Sequence, residues 1–559
     1  MQETLATEKG ASFKEHGGRV RVCLVYPNTY SLGMTNLGFQ SVYHMLNGLD
    51  GCVCERAFLP EKEDIAEFER TETPLFSYET QTPLKAFDII AFSIPFEDDY
   101  LNIPRILELS GVDIFAADRA GGPLVMAGGV AVSLNPEPAA DFFDAFLIGE
   151  AEGMLAPLVE AFAGAKNGGL SRDGMLASLD RLEWVYVPSF YSFTYNGVGI
   201  ASVEAKAGAK ARVLAAKKGD LADYPLPENF ILTPQSEFKD TSLIEIERGC
   251  PRGCRFCAAG FLYLPPRWRD FGSVKEAVIK GIEATGKVGL IGTAVSEYPE
   301  ILETLSLGVE MKGAVTLSSL RLDKLDERFV GLLKEAGYRT VTLAPEAGSE
   351  RMRRVVNKGM TDTGILDAVR LITGAGFLKI KLYFIVGLPG EEDEDAQAIV
   401  ELAKAIKKEM AKGALVLSVN PFVPKPLTPF QWHGFERPEV VDRRLSIIQK
   451  GLGGVKGVSV KALSGREAFV QAYLARADRR AGAFIADAAK RGWRRVMKEK
   501  LTFFEESAHA HKERAEILPW DIIDHSIWKN YLWKEYQKGL AGGLTPPCEV
   551  GSCTRCGVC

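Results

Sequence analysis

Between residues 241 and 420, apolar β-branched runs alternate with helix-patterned segments, and this alternation restricts the fold more than any other feature of the chain. The strand-like runs are 241–246, 288–291, 314–318, 340–343, 379–386 and 415–420. Helical spacing occupies 273–284, 297–307, 327–336, 362–375 and 393–408 between them. A strand, a helix and another strand in that order form a parallel unit with a right-handed crossover. Six such strands predict a partial (β/α)6 barrel with its working face at the carboxyl ends of the strands.

The first run leads directly into Glu247-Arg248-Gly249-Cys250-Pro251-Arg252-Gly253-Cys254-Arg255-Phe256-Cys257, so a C-x3-C-x2-C loop lies at the predicted mouth. Thiolate is a soft ligand that suits iron–sulfur clusters or zinc. No Cys or His follows within the next dozen residues. Three ligands leave one metal position open to a substrate or cofactor. The plainer alternative is a structural zinc loop or free buried thiols.

A proline-broken linker at 223–229 precedes the barrel. Upstream of it, residues 19–26 read as a buried parallel strand, 38–46 as a helix, and 87–94, 123–127 and 143–148 as further strands. These predict a doubly wound α/β domain over 1–170 whose ligands bind at strand carboxyl ends, here 27–35, 95–98, 128–133 and 149–153. Residues 171–239 form a connector with short strands at 185–195 and 200–205. The barrel takes 240–460, and a helical region with a cysteine-rich tail takes 461–559. His44, on an apolar helical face, is expected in the core, and Cys23, Cys52 and Cys54 as inert structural thiols.

The tail places Cys548, Cys553, Cys556 and Cys559 at C-x4-C-x2-C-x2-C, a complete ligand set. It predicts an auxiliary 4Fe–4S cluster or, as the alternative, a structural zinc site. Residues 1–18 lack the apolar core of a signal peptide, and no apolar run reaches the about 18 residues that span a bilayer. A cytoplasmic protein is therefore expected, and clustered cysteines in a reducing compartment read as metal sites. The formal charge of −6 argues against a general binder of nucleic acid or anionic membrane. Arg466, Arg476, Arg479, Arg480, Arg491, Arg494 and Arg495 are interleaved with Tyr473, Trp493, Phe503 and Phe504. A solvated helix face balanced by Glu499, Glu505 and Glu506 is favoured over an anion-binding one. His509 and His511 are expected at the surface, and Leu518-Pro519-Trp520-Asp521 at the start of a final helix.

The cysteine spacing, with Phe256 before the third thiol, resembles the motif of radical S-adenosylmethionine (SAM) enzymes. In that family three cysteines hold a 4Fe–4S cluster, and SAM chelates the fourth iron through its amino and carboxylate groups. Further elements fall at the strand ends in the family's order: Gly292-Thr293-Ala294, Ser318 to Arg321, Glu346, and Lys381 to Gly390. The resemblance implies that Phe256, Gly292, Thr293, Ala294, Ser318, Arg321, Glu346, Lys381 and Gly387 line the SAM site. The backbone at 292–294 would hold the amino group, and Gly387 would admit the adenine. It implies reductive cleavage of SAM to a 5′-deoxyadenosyl radical, with the protein positioning and shielding the cofactor. A dry, closed pocket is then required, with the N-terminal domain as lid and a flavodoxin or ferredoxin as reductant.

Ala127-Gly128-Gly129 and Leu147 to Glu152 look like the cobalamin-binding domain that precedes the radical domain in many such enzymes. The D-x-H-x-x-G motif whose histidine ligates cobalt is absent; the matching turn, 27–34, contains no histidine. Residues 418–430 resemble a segment of methylthiotransferases and are expected to wall the substrate pocket. From about Val22 to Cys559 the chain resembles bacterial radical enzymes with a cobalamin-binding-like domain and a four-cysteine tail, of unassigned substrate. Methyl transfer with cobalamin, or methylthio transfer with sulfur from near an auxiliary cluster, is the expected outcome. Carbon–carbon bond formation or rearrangement, and a non-catalytic iron–sulfur module, are the alternatives. The residues do not name the substrate, whether small molecule, lipid, RNA or protein.

Overall fold

The computed structural model describes residues 1–217, 219–317, 320–410 and 412–559. Its N-terminal sheet contains β1 (Val20–Tyr26), β2 (Cys52–Phe58), β3 (Ile89–Ser93), β4 (Leu124–Gly128), β5 (Ala145–Leu147) and β6 (Val185–Tyr186). The order is β2-β1-β3-β4-β5-β6, parallel except for β6 at the edge. All of β1 except Arg21 is buried, as a strand covered on both faces requires. Helix α1 (Leu37–Gly48) starts where the Asn36 side chain accepts the Phe39 amide at 2.9 Å. With α2 (Leu155–Asn167) it packs over one face of the sheet.

The apolar pattern does not reveal β2, because Glu55 and Arg56 interrupt it. The whole strand is nevertheless buried. Arg56 bonds Glu8 at 2.7 Å and Glu79 at 2.6 Å, so its charge is answered inside the core. Cys52 and Cys54 lie on this strand and Cys23 on β1, all three buried and unbridged. His44 is not in the core: it is exposed and stacks on Phe230 at 3.8 Å. It stands one residue off the stripe formed by Tyr43 and Leu46.

The barrel strands are β7 (Ser242–Glu245), β8 (Lys287–Ile291), β9 (Ala314–Thr316), β10 (Val341–Glu346), β11 (Lys379–Val386), β12 (Ala414–Pro421) and β13 (Val458–Ala462). They pair in parallel as β7-β8-β9 and β10-β11-β12-β13, linked by a bridge between Leu320 and Leu343. Helices fill each predicted interval; the first, Phe271–Thr285, is capped by Asp270 and stopped by Gly286 at φ 72°. β13 is a seventh strand beyond the six expected. Its half-exposed alternation at a sheet edge is too weak a signal to read from sequence. On β11, Ile380, Leu382, Phe384 and Val386 are buried in the helix-facing core, leaving Lys381, Tyr383 and Ile385 on the other, half-buried face.

The C-terminal region is helical, as expected, and three of the seven arginines, Arg476, Arg479 and Arg480, bolt it to its neighbours. Buried Arg476 donates to the Ala508 and Ala510 carbonyls at 2.5 and 2.7 Å, and Arg479 bonds Glu137 at 2.9 Å. Arg466, Arg491, Arg494 and Arg495 are exposed, as a solvated face requires, and Arg491 pairs with Asp487 and Glu499. His509 is half-buried, its Nδ1 2.7 Å from the Phe435 carbonyl, whereas His511 is exposed. Leu518-Pro519-Trp520-Asp521 does not begin the last helix. It forms a single 3₁₀ turn closed by the Asp521 carboxylate on the Leu518 amide, and runs into Ile523–Asp524, which pairs with Val213–Leu214. The last helix, α3, is Lys529–Leu540. Among the described residues no helix is long and apolar enough to cross a membrane.

Candidate active site at the barrel mouth

The chain leaves β7 at Glu245 and turns into the cysteine loop. An antiparallel pairing of Glu247–Arg248 with Arg267–Trp268 closes the loop at its base. Gly249, at φ 90°, must be glycine: a Cβ there would lie 2.5 Å from the Tyr263 carbonyl oxygen. Cys254 is buried, and Cys250 and Cys257 are half-buried. Burial, and after it the neighbouring Cys254, pushes the Cys250 thiol up to about 12 and the Cys257 thiol to about 11. Holding such thiols as thiolates requires a bound cationic centre, and binding releases their protons. Among the described residues no three His, Cys, Asp or Glu side chains stand close enough to share a single ion.

The notch after β8 is already engaged by the loop. The Ala294 amide donates to Glu247 Oε1 at 2.5 Å, and the Gly249 amide donates to Thr293 Oγ1 at 3.3 Å. Gly292 has no Cβ because the Glu247 carboxylate oxygen lies 2.3 Å from where one would be. Burial raises the Glu247 carboxyl to about 7, against the Ala294 amide that favours its charged form. Sequence reasoning quoted Glu247 but gave it no role.

Of the other expected residues, Arg321 and Glu346 stand beside the loop's cysteines, whereas the bonds of Lys381 and Gly387 lie within β11 and its exit turn. Arg321 stands between Asp323 at 2.9 Å and Glu297 at 3.3 Å, with Cys254 an electrostatic neighbour. Glu346 adopts φ 69°, a left-handed conformation rare for a non-glycine residue. It pairs with Lys358 at 3.4 Å; burial raises its carboxyl, and both groups bear on Cys257. Phe256 is half-buried against an apolar cluster that includes Phe261 and Leu262. Lys381 donates to the Tyr383 hydroxyl at 2.9 Å on the half-buried face of β11. Gly387, at φ 82°, gives its amide to Glu391 Oε2 at 2.5 Å, and Glu391 is held by Arg444 at 3.1 Å. Ser318 lies outside the described residues.

A cavity of about 560 Å³ joins this mouth to the N-terminal domain. At one end it is lined by Glu247, Arg248, Gly292 and Thr293, and at the other by Gly128, Gly129, Gly149 and Glu150 from the strand ends. An apolar slot lined by Leu37, Met45 and Leu158 extends between α1 and α2. Lys217 and His525 supply a polar edge. The Lys217 ammonium donates to the His525 carbonyl, and burial pushes it down to about 8. His525 Nε2 is 2.8 Å from the Ser133 carbonyl, and burial keeps the ring neutral, with a pKa of about 4. Charges fasten the two domains beside the cavity: Arg248 bonds Glu150 at 2.8 Å and Glu152 at 2.6 Å, and Arg267 bonds Glu150 at 2.6 Å.

Fold and site together define a cysteine-bearing partial barrel with a doubly wound cover across its mouth. Residues 38–188 match the family model for Radical SAM proteins, N-terminal, and 244–403 match the model of the Radical SAM superfamily. An uncharacterized protein of Methanocaldococcus jannaschii is 32% identical over 463 residues, covering 82% of this chain and 88% of the relative. A tRNA-2-methylthio-N(6)-dimethylallyladenosine synthase of Acidithiobacillus ferrooxidans is 25% identical over 269 residues, covering 44% of this chain and 57% of that enzyme. The solved structure of the radical S-adenosylmethionine methyltransferase TsrM from Kitasatospora setae, with cobalamin and a 4Fe-4S cluster bound, aligns with a TM-score of 0.44 and 15% identity, over 72% of this chain and 75% of that one. The chain belongs to the radical SAM superfamily and is a radical SAM enzyme.

Proposed function

We propose that Cys250, Cys254 and Cys257 hold a 4Fe–4S cluster with one iron open to SAM, and that the enzyme transfers a methyl or methylthio group to an unactivated carbon. The observation that carries this reading is the single cavity running from Glu247 and Thr293 at the cysteine loop to Gly128 and Gly149 at the sheet edge. The donor set fits: one buried and two half-buried thiols that bear on one another electrostatically, with no fourth ligand in the loop. With cluster and SAM bound, the chemistry supplied is one-electron cleavage of a sulfonium to a carbon radical.

The chain's own residues prepare that site. Gly249, Thr293 and Ala294 lock the loop to β8 through Glu247. Arg321, Lys358 and Glu346 set the charge beside Cys254 and Cys257. Phe256, Gly292, Lys381 and Gly387 are assigned to the SAM wall, and Ser318 is assigned with them on sequence alone. The N-terminal domain excludes water by closing over the mouth. The slot between α1 and α2 has an apolar lining and opens at glycine-lined strand ends, where a doubly wound domain binds its ligand, which suits a corrinoid. This favours methyl transfer; the methylthio alternative rests on the resemblance to the tRNA-modifying relative. A ferredoxin- or flavodoxin-type protein supplies the electrons.

Anaerobically reconstituted protein with dithionite and SAM should release 5′-deoxyadenosine. No release, with a reduced cluster confirmed by its electron paramagnetic resonance (EPR) signal, sinks the proposal. Protein from cobalamin-fed cells should carry corrinoid absorption in the visible; its persistent absence moves the reaction to methylthio transfer.

A further inference from the structure

The four tail cysteines lie in a segment without strand or helix, yet the structure holds that segment tightly against the cysteine loop. The Cys548 amide donates to the Pro251 carbonyl at 2.7 Å, one residue from Cys250. Asn357 ties the two segments together: its amide nitrogen donates to the Arg252, Gly253 and Thr545 carbonyls at 3.0, 3.2 and 3.2 Å, and its oxygen accepts the Thr545 amide at 2.9 Å. Arg255, inside the loop, donates to Glu535 of α3 and to the Gly543 carbonyl.

The thiols themselves are gathered. Cys553, Cys559 and Cys556 are all electrostatic neighbours of Cys548. The Arg555 side chain donates to Cys553 Sγ at 3.2 Å, the kind of N–H to sulfur bond that tunes iron–sulfur centres. The Trp528 amide donates to the Cys556 carbonyl at 2.9 Å. Gly557 admits the Trp528 indole, whose Nε1 would lie 2.4 Å from a Cβ there. Cys556 is buried in one apolar cluster with Phe261 and Leu262, which follow the loop, while Cys559 is exposed. The set therefore reaches from solvent to the wall of the loop.

From this we infer that Cys548, Cys553, Cys556 and Cys559 form a second iron–sulfur site, closed by four ligands and joined to the first through the Cys548–Pro251 bond, and that the two sites exchange electrons. A ferredoxin- or flavodoxin-type donor loses one electron and the loop site gains it; no bond is made or broken. The second half of the inference rests on the loop reading proposed above. Four thiolates suit zinc as well as iron–sulfur; the bond to the cysteine loop and the Arg555 N–H on Cys553 favour the redox-active group over zinc, which has no redox chemistry.

The test compares the reconstituted full chain with Cys553→Ala/Cys556→Ala, with Cys559→Ala and with Cys254→Ala. Two four-iron sites predict about eight irons per chain in the parent and about four in the double variant and in Cys254→Ala. The EPR spectrum of the dithionite-reduced parent should show broadening from the second spin that is missing from both. Cys559→Ala changes an exposed residue, so loss of about four irons there, with unchanged circular dichroism, supports the site without appeal to misfolding. Zinc in the tail, or about four irons in parent and tail variants alike, overturns it. Full iron with additive spectra overturns the electron exchange. Unchanged iron in Cys254→Ala, beside a loss in the tail variants, overturns the loop reading and leaves the tail site standing.

Discussion

The loop of Cys250, Cys254 and Cys257 leaves the end of a strand paired with β8, whereas the segment from Cys548 to Cys559 has no regular structure and takes its position from scattered backbone and side-chain bonds to other parts of the chain. The first set is placed by backbone geometry that any parallel barrel provides. The second is placed by Arg255, Asn357 and Trp528, two of them within or beside the structures it leans on. A third group, Cys23, Cys52 and Cys54, is buried in the N-terminal sheet. Burial alone thus does not mark the thiols proposed as ligands; what separates the groups is their place at a strand end or in a docked segment.

The largest effect that sharpens this contrast is chemical. Cys254→Ala should abolish 5′-deoxyadenosine release while iron persists at the tail; retained release would show that the working centre lies elsewhere. Next is Arg255→Ala. Among the described residues it leaves the Glu535 carboxylate with the Thr545 hydroxyl alone to answer it, and should cost about 3–5 kcal/mol in denaturant unfolding. Cleavage by a protease between α3 and Cys548 should rise with it; an unaltered cleavage rate would mean the tail is held without the loop.

Glu247→Gln gives a smaller, pH-dependent effect. Folded Glu247 titrates near 7 against an ordinary 4.5, so the folded state binds this proton more tightly than the unfolded chain. Its contribution is complete below about pH 4.5 and is lost as pH rises towards 7, by up to about 3 kcal/mol. The glutamine variant should flatten melting temperature against pH across this interval in cluster-free protein. The smallest expected effect belongs to the third group: Cys52→Ala should cost about 1 kcal/mol and leave the iron content unchanged. Iron lost there would erase the distinction between structural and ligand thiols.

The barrel was legible because strand-like and helix-patterned segments alternate along it, each long strand burying one face, and its cysteine loop follows the first of them. β2 was not, since the partners that neutralise Arg56 are Glu8 and Glu79, far away in sequence. The same limit hid Glu247, whose role depends on the amide of Ala294, and Lys217, which meets the cavity only beside His525. His44 misled because a helical stripe read from sequence has no sharp edge: one residue's rotation separates buried Tyr43 from solvent. The tail's composition announced a ligand set, but its address beside Pro251 is a property of the folded chain.

Glu150 is gripped by Arg248, just before the cysteine loop, and by Arg267, just after it. One carboxylate of the cover therefore fastens both hems of the loop at once. Maturation of the enzyme has to respect this knot: whatever loads the loop must reach it before the cover is fastened, or unfasten it first. Because both guanidinium–carboxylate pairs are buried, moderate salt should do little to loosen this knot.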